Sequence, residues 1–112
     1  MKLPGAEHAF IDDRKLVAYC LNPAHPRGRN KARVFSSALG FTESSAPILR
    51  AALIEAARTR DAVPAEDDEH GQRFAIEFPM TGPRGSAIVR SIWIIRAGED
   101  FPRLVSCYIL ST

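Results

Sequence analysis

The spacing of apolar residues changes once along this chain, near residue 70, and this change constrains the fold more than any other feature. Upstream, apolar side chains recur every three or four residues, as on the buried face of a helix. Downstream they alternate with polar residues, as in a half-buried β-strand. Helices followed by strands predict an α+β fold, with N-terminal helices packed on one face of a C-terminal antiparallel β-meander. A chain of 112 residues has room for a single domain, residues 1–112.

Three helices are predicted in the first half, because apolar stripes at helical spacing lie between capping and helix-breaking residues. Their predicted ranges are 13–21, 31–39, and from Ser44 or Ser45 to about residue 60. We expect Asn30 to be the N-cap of the second helix and Gly40 its left-handed C-cap. Lys31 shares the apolar side of that helix, so its ammonium group must either snorkel into solvent or face a cleft.

The second half begins with an acidic segment, residues 61–72, whose proline, glycine and lack of periodicity predict a mobile connection with a solvated His70. Three strands are predicted after it, at residues 73–80, 86–96 and 103–110. Pro79 indicates the end of a strand or a sheet edge. Trp93 is expected in the core, and the alternative is a platform on which a base could stack.

Positive charge is concentrated in residues 14–42, although the net charge of the whole chain is only +2. That segment has no acidic residue and six basic ones: Arg14, Lys15, Arg27, Arg29, Lys31 and Arg33. His25 lies among them, in a loop at residues 22–29 that two prolines stiffen. A stiff basic loop of this kind indicates a binding site for an anion such as a phosphodiester.

Several classes of protein are disfavoured by what the sequence lacks. It has no phosphate-binding P-loop, no dinucleotide fingerprint, no zinc-protease motif and no nucleophile elbow. Cys20 and Cys107 have no paired spacing and are expected to be buried free thiols. We predict no metal site and no cofactor. The absence of a long apolar run or a signal-like start predicts a cytoplasmic protein that does not enter membranes.

The remaining polar residues suit metal-independent cleavage of an RNA phosphodiester, which needs a base, an acid and cations around the phosphorane. The candidate catalytic residues are His25, Lys31, Ser106 and Tyr108, and the candidate nucleic-acid-binding residues are Lys15, Arg27, Arg29 and Arg90. His25 is the candidate acid or base, because an unperturbed imidazole titrates near neutral pH. Each residue also has a plainer interpretation, as a loop histidine, a solvated basic face or the polar side of an edge strand.

Three stretches carry a resemblance: LPGAEHAFID, KLVAYCLNPAHPRGRNKARVFSSALGF and IWIIRAGEDFPRLVSCYIL. They resemble a family of small bacterial domains with a Leu-Pro opening, Lys-Leu-x-x-Tyr-x-Leu-Asn, Lys-Ala-x-x-Phe, Leu-Gly-Phe, a tryptophan strand and a closing Val-[ST]-x-Tyr strand. The match spans nearly the whole chain except the acidic segment.

The resemblance implies a domain of the kind found at the ends of polymorphic toxins or beside possible antitoxins. Its layout is similar to the ribonuclease toxin fold of barnase, EndoU, colicin and RelE nucleases. The implied site residues are His25, Lys31, Lys15, Ser106 and Tyr108, with Ser106 where threonine would also serve. The implied partners are RNA and a cognate antitoxin or immunity protein. The alternative is a non-catalytic module that binds nucleic acid or protein through the same basic loop.

Overall fold

Four antiparallel strands form the C-terminal half of the protein, in a computed structural model that describes residues 1–110. Each strand pairs with the next in the chain, so the order in the sheet is β1-β2-β3-β4. The strands are β1 (Val63–Asp68), β2 (Gly71–Gly82), β3 (Gly85–Arg96) and β4 (Arg103–Ile109). With the helices preceding them, they confirm the predicted α+β architecture.

The helical layer precedes the sheet in the chain. It consists of α1 (Asp13–Lys15), continued by a π-helical turn (Leu16–Cys20), then α2 (Arg29–Leu39) and α3 (Ala46–Thr59). Short 3-10 segments lie at Ala6–His8 and Glu43–Ser45. Within residues 1–110, no helix is both long enough and apolar enough to cross a bilayer.

The predicted helices are present, but two details differ. The first changes from α to π geometry, because the N–H of Leu21 donates to the carbonyl of Leu16, five residues back, at 2.8 Å. The second begins at Arg29 after Gly28, so the prediction of Asn30 as its N-cap is wrong. The helix begins two residues earlier than predicted, where the carbonyl of Gly28 accepts the N–H of Ala32 at 2.9 Å and Gly28 lies against the backbone of the π turn. Gly40 is the left-handed C-cap that was predicted, with φ 74°.

The acidic segment 61–72 is not a mobile connection, and that prediction is wrong. It contains β1, which pairs with Gly71–Ala75 of β2. All six side chains of β1 are exposed, so the strand has no apolar alternation by which the sequence could reveal it. Its carboxylates instead protect the edge of the sheet against pairing with another chain. Pro79 lies beyond the stretch of β2 that β1 covers, as expected for a residue without a backbone N–H.

Helices and sheet share one hydrophobic core. Phe35 and Leu39 of α2 and Leu49 of α3 are fully buried with the sheet residues Phe74 and Trp93. Trp93 has no exposed surface, which confirms the core interpretation over a stacking platform. Because α2 runs across the sheet towards the turn between β2 and β3, its N-terminal end comes to lie beside β4.

One ion pair at the start of α1 gives stability a pH dependence. The side chain of Asp12 accepts the backbone N–H of Arg14 at 3.0 Å and pairs with its guanidinium at 2.7 Å. The side-chain hydrogen bond, followed by the backbone one, lowers the pKa of Asp12 from 3.8 to about 2. A lowered folded-state pKa stabilises the fold above the unfolded value of 3.8, and this contribution is lost as pH falls through about 2.

The substitution Asp12→Asn keeps a capping oxygen but removes the charge. We therefore expect its melting temperature to fall less from pH 4 to pH 2 than the melting temperature of wild type does. Melting curves at low ionic strength over this range measure the difference. Asp67→Asn, on the exposed strand β1, is the control and should follow wild type. If the melting temperatures of wild type and Asp12→Asn fall by the same amount over this range, the Asp12–Arg14 ion pair does not cause the pH dependence.

Candidate functional site

Lys31 lies at the centre of the candidate site, where helix α2 meets strand β4. Its Nζ donates hydrogen bonds to Oη of Tyr19 at 2.7 Å and to Oγ of Ser106 at 2.9 Å. The same nitrogen lies 4.6 Å from the centre of the Tyr19 ring, within cation–π range. Lys31 is half-buried and does not snorkel, so of the two outcomes predicted for its side chain it adopts the inward one.

Among the described residues, the ammonium group of Lys31 has only neutral partners. None of the ion pairs found among residues 1–110 includes it. A partly desolvated cation without a carboxylate partner produces a strong local positive potential. The position is therefore ready to receive an anion without first breaking an internal ion pair.

A β-bulge places the β4 side of this cluster. Ile92 pairs with Ser106 and Trp93 pairs with Leu104, which leaves Val105 without a partner in the ladder. Bulges of this kind bend a strand and redirect its side chains. Ser106 is consequently buried against the helical layer, 8% exposed, with its Oγ also 3.9 Å from Sγ of Cys20. The ring of Tyr108, two residues on, lies 5.8 Å from Nζ of Lys31.

His25 is held by its own loop. Its Nδ1 accepts the backbone N–H groups of Arg27 and Gly28, both at 3.0 Å. The ring also packs edge-on against Tyr19, with ring centres 4.9 Å apart. Because Nδ1 is an acceptor in this hydrogen-bond pattern, the proton of the neutral ring is on Nε2. His25 therefore offers a hydrogen-bond donor, and serving as a base would require it to give up both backbone contacts.

Gly28 is required for this arrangement. A Cβ at Gly28 would overlap the carbonyl oxygen of Tyr19, so no other residue fits without moving the backbone. The contact joins the loop to the π turn and fixes His25 relative to Tyr19. The geometry of the loop thus depends on backbone packing as much as on the prolines.

An open cavity of about 510 Å³ lies beside the cluster. Three of its lining residues are cations, and none is a carboxylate. The lining residues are Arg14, Lys15, Ala18, Tyr19, His25, Arg27, Val105 and Ser106. Arg14 is paired with Asp12, whereas Lys15 and Arg27 take part in none of the ion pairs found in the described chain. The cavity is accordingly suited to an anionic ligand.

Most of the predicted site residues come together here. The predicted residues that line the cavity or touch Lys31 are Lys15, His25, Arg27, Ser106 and, at a longer distance, Tyr108. Two predicted binding residues do not line this cavity. Arg29 lines a different cavity. Arg90 is on β3, where it pairs across the sheet with Tyr108 of β4 and Glu77 of β2. Among the described residues there is no cluster of three or more histidine, cysteine, aspartate or glutamate side chains that could hold a metal ion.

The sequence predictions missed Tyr19, which is the closest partner of Lys31. The signal was present, because Tyr19 is the tyrosine of the Lys-Leu-x-x-Tyr-x-Leu-Asn motif and follows Lys15 by about one helical turn. What the sequence could not give was the π turn, which sets the direction of its side chain.

The two cysteines lie beneath the site as buried free thiols, as predicted. Hydrogen bonding from Cys107 lowers the pKa of Cys20 despite its burial, and Ser106 and the charge of Lys31 act in the same direction. The contact with Cys20, together with burial, raises the pKa of Cys107. Cys20 is therefore the thiol of the pair that loses its proton first.

The fold has a counterpart among solved structures. A chain of a contact-dependent growth inhibition toxin–immunity protein complex from Klebsiella pneumoniae 342 superposes with a TM-score of 0.68 and 16% sequence identity, over 89% of this chain and 98% of that chain. At this identity the likeness concerns the fold. No match was found among curated proteins. Residues 2–111 match the family described as Domain of unknown function (DUF6883), and the chain belongs to that family.

Proposed function

We propose that this protein is a metal-independent ribonuclease. The observation that carries the proposal is the ammonium group of Lys31, held by two neutral hydroxyl groups beside a basic cavity that His25 lines. Phosphodiester cleavage without a metal needs preorganised cations and hydrogen-bond donors around the phosphorane. The likeness to a chain from a growth inhibition toxin–immunity complex agrees with a toxin-like role.

The proposed reaction is attack of a ribose 2′-oxygen on the adjacent phosphorus. The new O–P bond forms as the bond from phosphorus to the 5′-oxygen breaks, which leaves a 2′,3′-cyclic phosphate and a 5′-hydroxyl. Lys31 and Arg27 stabilise the negative charge that builds on the phosphorane, and Nε2 of His25 donates to one of its oxygens. The hydroxyl of Tyr19, which lines the cavity and accepts a hydrogen bond from Lys31, gives its proton to the departing 5′-oxygen. Water in the open cavity takes the proton of the 2′-hydroxyl.

Ser106 and Tyr108 act on Lys31 in this scheme. Ser106 is 8% exposed and accepts a hydrogen bond from Lys31, so its role in this scheme is to position the ammonium group. The ring of Tyr108, whose centre lies 5.8 Å from Nζ of Lys31, restricts the positions that the ammonium group can take. Lys15, which takes part in none of the ion pairs found in the described chain, draws the phosphate backbone towards the cavity.

The direct test is incubation of the purified protein with total tRNA and rRNA in a chelator. We expect discrete fragments that end in 2′,3′-cyclic phosphate, and no cleavage at a position where the 2′-hydroxyl has been replaced by hydrogen. Intact RNA from acid to alkaline pH would contradict the proposal. Fragments with 3′-hydroxyl ends would contradict the proposed attack by the 2′-oxygen.

A matched pair of substitutions tests His25. Asparagine can reproduce the acceptor at Nδ1, and glutamine can reproduce a donor near Nε2. We expect His25→Asn to keep the melting temperature and to lose cleavage by about 10²-fold, since a donor to the phosphorane is gone. His25→Gln should retain more cleavage than His25→Asn. Full activity in His25→Asn would show that the ring only supports the loop.

A second function is favoured by the low exposure of Ser106 and by the internal hydrogen bonds of Lys31. Groups that already satisfy one another suit a non-catalytic module, which would hold RNA or a cognate antitoxin or immunity protein on the basic cavity. Such a module predicts affinity that falls steeply with salt and no cleavage at any pH. The assay in chelator separates the two functions.

A further inference from the structure

A second cationic groove borders the same loop on which His25 lies. Its volume is about 550 Å³, and its lining comes mainly from α2, from residues 41–44 after that helix and from Arg84 in the turn that joins β2 to β3. Pro23 of the loop lines this groove, whereas His25 and Arg27 line the cavity beside Lys31. The two depressions thus flank one short, stiff segment of chain.

Three arginines from two elements line the groove: Arg29, Arg33 and Arg84. Arg29 and Arg33 are four residues apart on α2, so their origins are about 6 Å apart along the helix axis. The stem of Arg84 lies against Gly40, where a Cβ would come within 2.8 Å of its Cγ. The backbone N–H of Arg84 also donates to the carbonyl of Leu39 at 3.1 Å. The C-terminal end of α2 therefore fixes the position from which the third arginine reaches the groove.

The guanidinium groups of these three arginines are free of ion pairs within the described part of the chain. None of the ion pairs found among residues 1–110 includes Arg29, Arg33 or Arg84. The groove has one carboxylate, Glu43, against the three arginines. Its remaining polar lining consists of hydroxyl groups: Ser36, Ser37, Thr42 and Ser44. Guanidinium and hydroxyl groups together suit a ligand with phosphate and ribose oxygens.

We propose that this groove binds the phosphodiester backbone of single-stranded RNA that flanks the bond in the cavity beside Lys31. The proposal rests on the ribonuclease function above and adds an anchoring surface to it. A polymeric substrate must continue beyond the cleaved bond, and the loop at Arg27 and Arg29 is where the two cationic depressions meet. An acidic protein would be attracted by the same charge, but this continuity favours a ligand that passes from one depression to the other. Phosphate contacts of this kind give affinity without base specificity.

The experiment is a binding measurement with 2′-O-methyl RNA, which cannot be cleaved by its own 2′-oxygen. Fluorescence anisotropy compares an oligonucleotide long enough to cross both depressions with a dinucleotide. The test variant is Arg33→Ala with Arg84→Ala, since both side chains are exposed and the fold does not depend on their charge. We expect a loss of oligonucleotide affinity of about 10-fold at moderate salt. The slope of log affinity against log salt should fall in magnitude by about 1.4, for two lost phosphate contacts on a single strand.

The matched control is Arg58→Ala with Arg60→Ala, which removes the same charge at the C-terminal end of α3. Its oligonucleotide affinity should stay within about 2-fold of wild type. An equal loss in both double variants would overturn the proposal, because it would reflect only net charge. Unchanged affinity in the test variant, or an equal effect on the dinucleotide, would also overturn it.

The outcomes for the groove and for the ribonuclease function are separable. If wild type cleaves RNA but the test variant binds RNA as tightly as wild type, the ribonuclease proposal stands and the proposal for the groove is wrong. If the test variant loses affinity as expected but wild type leaves cleavable RNA intact, the groove proposal stands and the ribonuclease proposal is wrong. A wild-type protein with no affinity for RNA overturns the groove as an RNA surface and directs attention to an acidic protein partner.

Discussion

Lys31→Met is expected to reduce RNA cleavage by about 10³-fold, the largest effect on activity for a single side chain. The substitution keeps most of the aliphatic stem but removes the cation that Tyr19 and Ser106 hold in place. Loss of one preorganised group that stabilises transition-state charge costs about 10² to 10³ in rate. We expect Lys31 to exceed the lower figure because it also holds the hydroxyl of Tyr19, the proposed proton donor. Cleavage rates at saturating RNA measure the effect.

The control for this variant is Lys2→Met, at an exposed lysine of the N-terminal segment. It makes the same change in charge and should cleave like wild type. Lys31→Met loses hydrogen bonds to a charged group, each of which contributes about 1.5 to 3 kcal/mol to stability. It also removes the cost of desolvating the cation, and because the two effects oppose each other, the melting temperature should fall only modestly. Cleavage within about 3-fold of wild type would remove Lys31 from the mechanism.

Trp93→Ala is expected to have the largest effect on stability. Trp93 is fully buried and pairs across the sheet with Phe74 and Leu104, so its removal leaves a cavity in the core. Substitutions of this size cost about 3 to 5 kcal/mol, a large part of the roughly 5 to 15 kcal/mol that holds a domain folded. Urea denaturation followed by far-ultraviolet circular dichroism measures the loss. Fluorescence is unsuitable because Trp93 is the only tryptophan.

Two further variants provide comparisons for the stability of Trp93→Ala: one removes a hydrogen bond to Trp93, and the other is a control at an exposed position. In Ser91→Ala, Nε1 of Trp93 loses the hydroxyl to which it donates at 2.9 Å, and an unpaired buried donor costs about 1 to 3 kcal/mol. Val63→Ala, at a residue 64% exposed on β1, should change stability by less than about 0.5 kcal/mol. A loss below about 1 kcal/mol in Trp93→Ala would mean that the sheet core is not packed as described.

The fold could be read from the sequence where burial left a pattern. Phe35 and Leu39 on α2, and Leu49 and Leu53 on α3, recur at helical spacing because one face of each helix is buried. Residues 73–80 and 86–96 alternate because one side of each strand is buried. Strand β1 left no such pattern. All its side chains are exposed, and the strand forms because its backbone pairs with β2. Backbone pairing leaves no apolar alternation in the sequence, so the pattern of side chains could not predict it.

The site was predictable in its residue types and not in its contacts. The side of α2 on which Lys31 lies follows from helical geometry, and the basic loop follows from charge. The alignment of Ser106 with Lys31 depends on a bulge at Val105, and that of Tyr19 on a π turn. Both irregularities shift side chains by one position relative to a regular strand or helix, and neither has a composition that marks it.

The buried thiol pair gives the protein a native probe of its own opening. Cys20 and Cys107 have no exposed surface, and Cys20 lies against Ser106 beneath the candidate site. A thiol reagent in solution can reach them only when this part of the core opens. Under conditions where closing is faster than labelling, the labelling rate reports the free energy of that opening. The stability of the region under Lys31 can therefore be followed, separately from global unfolding, without adding a label to the protein.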